Sequence, residues 1–208
     1  MKSNEILASS NVITQFPFSA KELIKETSNI VCRSFNIAHK YKVNIEDFGS
    51  KSAIIMSFGN KDIIFYNSKE IPERVKFSML HELGHKVNNH PFENVTEKMY
   101  RKVEVETNYF AAQLLMPEQI IREFQRRGER VDKQFLIRVF GVSEQAASKR
   151  IETLNKIIWE RNENEKYYDD IILDKYMPWI DSIVPKNKEY LFINEEEIEY
   201  EREKWRYN

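Results

Sequence analysis

The stretch "FSMLHELGHKVNNHP", Phe77 to Pro91, sets His81 and His85 four residues apart with Glu82 directly after the first. Around it, "PERVKFSMLHELGHKVNN" carries Val75, Met79, Leu80, Leu83 and Val87 at steps of three and four, and Pro72 suits a first helical turn. The spacing therefore predicts a helix. On a helix, residues i and i+4 lie one above the other, so His81 and His85 can offer imidazole nitrogens to one ion. Glu82 lies beside that line, where a carboxylate can take a proton from an attacking water. Gly84 leaves the other flank of the turn open to a facing helix or strand. The same string also arises by chance, and helical histidines are often structural, so the neighbourhood has to decide.

A catalytic zinc site has three protein ligands and an open position. A third histidine at the H-x-x-G-x-x-H continuation is absent, because Asn88 holds the glycine slot and Pro91 the histidine slot. His90, five residues past His85, is rotated away from the pair. Carboxylates remain. Beyond a polar loop at Pro91 to Thr96, "RKVEVETNYFAAQLLM" reads as a second helix stopped by Pro117, and it supplies Glu104 and Glu106. These two lie about 200° apart around the helix, so they cannot both face one metal. Glu104 is the preferred third ligand, since Asn108 shares its face and could hydrogen-bond a ligand; Glu106 is the alternative. Tyr109 and Arg101 are candidate partners for a developing oxyanion, although either could be an ordinary helix residue.

Elsewhere, Leu23, Ile24, Ile30, Val31, Phe35 and Ile37 recur at roughly helical spacing and Ser19 with Glu22 fits a capping box, predicting one long helix from Ser19 to about Tyr41. The runs "SAIIMSF" and "DIIFYNS" flank "GNK" and predict a β-hairpin with Gly59 and Asn60 in the turn. "KQFLIRVFGVSEQAASKRIETLNKII" holds two helical patterns around Gly141 and Ser143, a helix-turn-helix outline. Past Glu160 acidic residues outnumber basic ones and aromatics are frequent.

With 208 residues, 41% hydrophobic and 31% charged, the chain reads as a soluble globular α+β protein. A net charge of -1 offers no global attraction to nucleic acid. The N-terminus lacks a secretory pattern and no apolar run is long enough to span a bilayer. The single cysteine, Cys32, sits among apolar residues and reads as core, which excludes both an intramolecular disulfide and a thiolate metal site and favours the cytoplasm.

"HELGH", followed about twenty residues later by "EVETNYFAAQLLMP", resembles the ImmA/IrrE family of zinc metallopeptidases, in which "HELGH" is paired with E-x-E-A-N-x-F-A-x-x-L-L-M-P. Thr107 departs from the usual alanine, a change of one small residue for another that should leave ligation intact. The resemblance covers about Phe35 to Leu154 and includes the helix-turn-helix-like stretch. It implies His81, His85 and Glu104 as ligands of one Zn2+ per chain in a gluzincin-type site, with Glu82 as general base. The expected organisation is a zincin-like core at 1–117, a helix-turn-helix-like segment at 118–160 and, outside the resemblance, an acidic, aromatic-rich C-terminal extension at 161–208. The expected function is cleavage of a specific protein substrate, such as a transcriptional repressor encoded nearby on a mobile element, with "DIIFY" as an edge strand that takes the substrate backbone. The alternatives are a DNA-binding regulator, using Arg138, Lys149 and Arg150 beside the turn, and an interaction protein whose acidic tail docks a partner.

Overall fold

Ser19, Thr96, Asp132 and Ser143 each accept a hydrogen bond from a backbone N–H three residues on, and each starts a helix where the sequence places a capping residue. The computed structural model describes residues 2–48, 52–90, 96–156 and 163–185. The expected loop residues 91–95 and the acidic run "NEEEIEYERE" lie outside them. Among the described residues the helices are α1 (Lys2–Ser9), α2 (Ala20–Thr27), α3 (Pro72–Val87), α4 (Glu97–Leu115), α5 (Glu118–Arg126), α6 (Lys133–Phe140), α7 (Glu144–Lys156) and α8 (Glu163–Ile183). Strands β1 (Val31–Ser34), β2 (Ala53–Phe58) and β3 (Lys61–Tyr66) form a small sheet, giving an α+β fold. None of these helices is long and apolar enough to cross a membrane.

The single long helix expected from Ser19 to Tyr41 does not form. Thr27 and Ser28 turn their hydroxyls back onto the carbonyls of Leu23 and Ile24 at 2.8 and 2.6 Å, Ser28 is extended, and the chain continues as β1 and a 3-10 turn at Phe35–Tyr41. The apolar spacing held the warning, since the step from Ile24 to Ile30 breaks the helical period and Ile30 and Val31 favour a strand.

Sheet order is β1-β3-β2, with β1 parallel and β2 antiparallel to β3. "DIIFY" is therefore the central strand and not an edge, because β1 returns to pair with it; the edge beside α3 is β2. Period-two alternation splits the strands between two cores: Ile64 and Ala53 join the main core, while Ile63, Phe65 and Ile54 face the 3-10 turn with Ala38 and Val43.

The main core is continuous across the boundaries expected near 117 and 160, taking in Leu7, Leu80, Phe110, Phe124, Phe140, Ala147, Ile172, Tyr176 and Ile180. Lys175 and Tyr176 of α8 donate to the Leu7 carbonyl near the end of α1 at 2.7 and 3.0 Å, placing a cation where the helix dipole is negative. Arg150, expected near a partner-facing surface with Arg138 and Lys149, is instead 1% exposed. Its Nε donates to the Met116 carbonyl at 3.0 Å and its Nη2 to Gln113 Oε1, so it ties α7 to the end of α4.

At Gly84, α3 and α4 come closest. A Cβ there would lie 2.9 Å from Phe110 Cδ1 and 3.0 Å from Thr107 Cγ2, both buried. Gly84→Ala is expected to cost about 1–3 kcal/mol by overpacking despite alanine's better helix propensity. An unchanged urea midpoint would contradict the tight contact.

Candidate metal centre

Helix α3 carries His81, Glu82 and His85, and α4 brings Glu104 opposite them. His81 Nε2 and His85 Nε2 are 3.0 Å apart, and the two Glu104 oxygens lie 3.4 Å from one and the other. All three donor atoms fall within 4.8 Å of one another, a group able to hold a metal ion. Donors at 2.0–2.1 Å from a tetrahedral zinc stand about 3.3 Å apart, so the set fits that ion. Three acceptor atoms turned on one another also need a cation or proton between them, a second reason that the group fits a metal.

The outer nitrogens orient both rings. His81 Nδ1 is 3.1 Å from Asn108 Oδ1, which places the ring proton on Nδ1 and leaves Nε2 with its lone pair. Asn108 thus reaches His81 from the face it shares with Glu104. His85 Nδ1 is 3.3 Å from His90 Nδ1. His90 itself is not in the group, as its rotation predicts, but it stands directly behind His85. The helix ends in a Schellman motif: Asn89 is left-handed at φ 54°, its N–H bonds the Lys86 carbonyl, and the His90 N–H bonds the His85 carbonyl at 3.0 Å. Asparagine just past the helix was the sequence signal for this return of the chain. Thr107, buried, contacts His90 Nδ1 at 3.2 Å. Glu106, the alternative ligand, lies outside the trio, 3.6 Å from His90 Nε2.

Glu82 Oε2 accepts the Ile55 N–H at 3.1 Å, so the β2 edge holds the carboxylate. No side-chain pattern could have identified this backbone donor; the hairpin was the available hint. Burial, opposed by that hydrogen bond and aided by Glu104, pushes the Glu82 carboxyl up to about 7. Burial also depresses both imidazoles, with His85 brought down to about 4 by desolvation and by His81. Neutral histidines with free Nε2 lone pairs are what a metal requires. Arg101 pairs with Glu97 on the exposed side of α4, and the Tyr109 ring faces Arg150, whose guanidinium carbon is 5.4 Å from its centroid. Cys32 is half-buried with its thiol pushed up to about 11 by desolvation, in keeping with a packing role.

A carboxyl titrating near 7 when folded and near 4.5 when unfolded binds more protons in the native state between those values, so stability falls as pH rises through that window. Gln at this position can still accept the Ile55 N–H and carries no charge. Metal-free Glu82→Gln is therefore expected to exceed wild type by on the order of 2–3 kcal/mol at pH 8, with the gap closing towards pH 5. Urea titrations in chelator at both pH values check this, and a gap independent of pH would contradict it.

A comparison with curated proteins finds no match. A protein-family model does match: the peptidase M78 model, described as the IrrE N-terminal-like domain, aligns with residues 32–152, more than half of the chain and nearly the span over which the motifs suggested a resemblance. That span holds most of β1, all of β2 and β3, the His81, His85 and Glu104 group, and α5 to most of α7. The chain belongs to the IrrE N-terminal-like domain family of M78 peptidases.

Proposed function

We propose that the protein is a zinc-dependent endopeptidase of the gluzincin type that cuts a specific protein substrate, a transcriptional repressor or similar regulator, in the cytoplasm. The observation that carries this reading is the convergence of His81, His85 and Glu104 donors at zinc-ligand separations, with the Glu82 carboxylate held alongside. Bound zinc would supply a Lewis acid that polarises the scissile carbonyl and acidifies water. His81, His85 and Glu104 would hold it, and Asn108 and His90 fix the two imidazoles in the required orientation.

Glu82 is the general base. Its carboxylate, held beside the imidazole pair by the β2 edge, stands where it can take a proton from the attacking water. The acquired proton is then available to the leaving amine. Ile55 N–H restrains one carboxylate oxygen, so the other is directed to the reaction. Because Ile55 points its N–H outward from β2, Ser57 two residues on presents the next outward backbone groups, and a substrate strand can add along this edge.

Glu104→Ala is expected to lose zinc far more than Glu106→Ala, measured by elemental analysis after purification without added metal. Equal retention would reverse the ligand assignment. Glu82→Gln is expected to keep its zinc and lose about 10²–10⁴-fold or more of turnover. Mass spectrometry of a candidate repressor incubated with wild type and variant reads the new terminus, and cleavage of one bond at one rate by both would remove Glu82 from the mechanism.

A further inference from the structure

Beside the metal group, α3, α4 and α7 enclose a cleft of about 590 Å³, within the range of roughly 300–1,000 Å³ typical of ligand sites. None of His81, Glu82, His85 and Glu104 lines it; neighbours of theirs make the link. Asn108, which bonds His81, and Ser78, one turn before His81 and Glu82 on α3, are both in its wall. Phe77, Val105, Ala112 and Ala146 give it an apolar lining, and Val105 is 69% exposed although large and aliphatic.

Its charge is one-sided. Among the described residues, Arg74, Lys149 and Arg150 line the cleft and no Asp or Glu does. Ser143, Gln145 and Ala146 bring the positive end of α7 to the same wall. Arg150 is 1% exposed, and the acceptors around its guanidinium are the neutral carbonyl oxygens of Met116 and Gln113 and the phenol of Tyr109. Glu118, the carboxylate that acts on it, also holds Arg122 at 2.8 Å. Arg74 and Lys149 pair with Glu70 at 3.1 Å and Glu152 at 2.8 Å outside the cleft, exposed pairs of a kind worth little and readily exchanged.

Resting on the peptidase reading above, we propose that this cleft is the substrate subsite beside the scissile bond and that it selects a carboxylate of the polypeptide, with the carbon stem against Val105, Phe77 and Ala146 and the charge among Arg74, Lys149 and Arg150. An acidic side chain and a free C-terminal carboxylate share this chemistry. Charge-assisted bonds to guanidinium and ammonium groups supply the selection, and the amide of the same shape lacks it.

The test uses three labelled decapeptide pools. One is amidated and carries glutamate at varied positions, the second has glutamine in its place, and the third has a free C-terminus and no internal acid. Binding is measured on full-length Glu82→Gln, and cleavage on zinc-loaded wild type. Either carboxylate pool is expected to bind about tenfold or more above the glutamine pool. Preference for the amidated glutamate pool identifies a side-chain acid, and preference for the free-acid pool a terminal one. Adding Arg74→Glu and Lys149→Glu to the Glu82→Gln chain, both on exposed side chains with folding checked by circular dichroism, is expected to erase the preference. Equal binding of all pools, or an undiminished preference in the folded charge-reversed protein, overturns the subsite. Cleavage without acid preference also overturns it while leaving the peptidase reading standing. Acid-selective binding with no cleavage does the reverse.

Discussion

The arrangement depends on how closely two helices can approach at one residue. Gly84 has no side chain, so the buried face of α4 at Thr107 and Phe110 settles directly onto the α3 backbone. Only at that separation does Glu104, one turn before Asn108 on α4, reach two imidazoles carried by α3. The motif histidines are a property of one helix, but the third donor is a property of the contact. Thr107 fits because its methyl fills the space that Gly84 opens, while its hydroxyl is satisfied locally by the Val103 carbonyl and reaches His90.

A second constraint lies at the far end of α4. Gln113, 1% exposed, donates to Asn4 and Gln119 at 2.9 Å each and accepts from the Glu118 N–H and from Arg150, so α1, α4, α5 and α7 meet at one amide. A buried amide with this many partners specifies geometry more than it adds stability, because each partner fits a single position. It ties α7 to the end of α4, and the cleft lies between these helices and α3.

What the sequence made legible follows from the range of the interactions. Helical period and capping residues are local, so α3, α4, α6 and α7, the hairpin turn at Gly59 and the pairing of His81 with His85 could be read from spacing, whereas spacing left Glu104 and Glu106 open and the family resemblance favoured Glu104. The sheet order could not, because β1 pairs with β3 across 32 positions and turns the expected edge strand into the centre. Nor could the hold of Ile55 on Glu82, which uses a backbone N–H common to every residue type. The burial of Arg150 was partly readable. Arg150 lies three residues after Ala147 and directly before Ile151, so the apolar run through those two marks it as flanking the inner face.

The tie between α8 and α1 bears on the order in which the molecule can be made. Lys175 and Tyr176 close onto Leu7 across almost the whole described chain, so one wall of the main core is supplied by some of its last described residues. Contacts this distant in sequence require a large loop to be closed before they return any stabilisation. During synthesis on the ribosome, the helices bearing His81, His85 and Glu104 emerge well before the element that covers α1 and α5. A nascent chain therefore carries all the residues of the metal group while its core is still open on one side, and completing translation through α8 is the step that closes it.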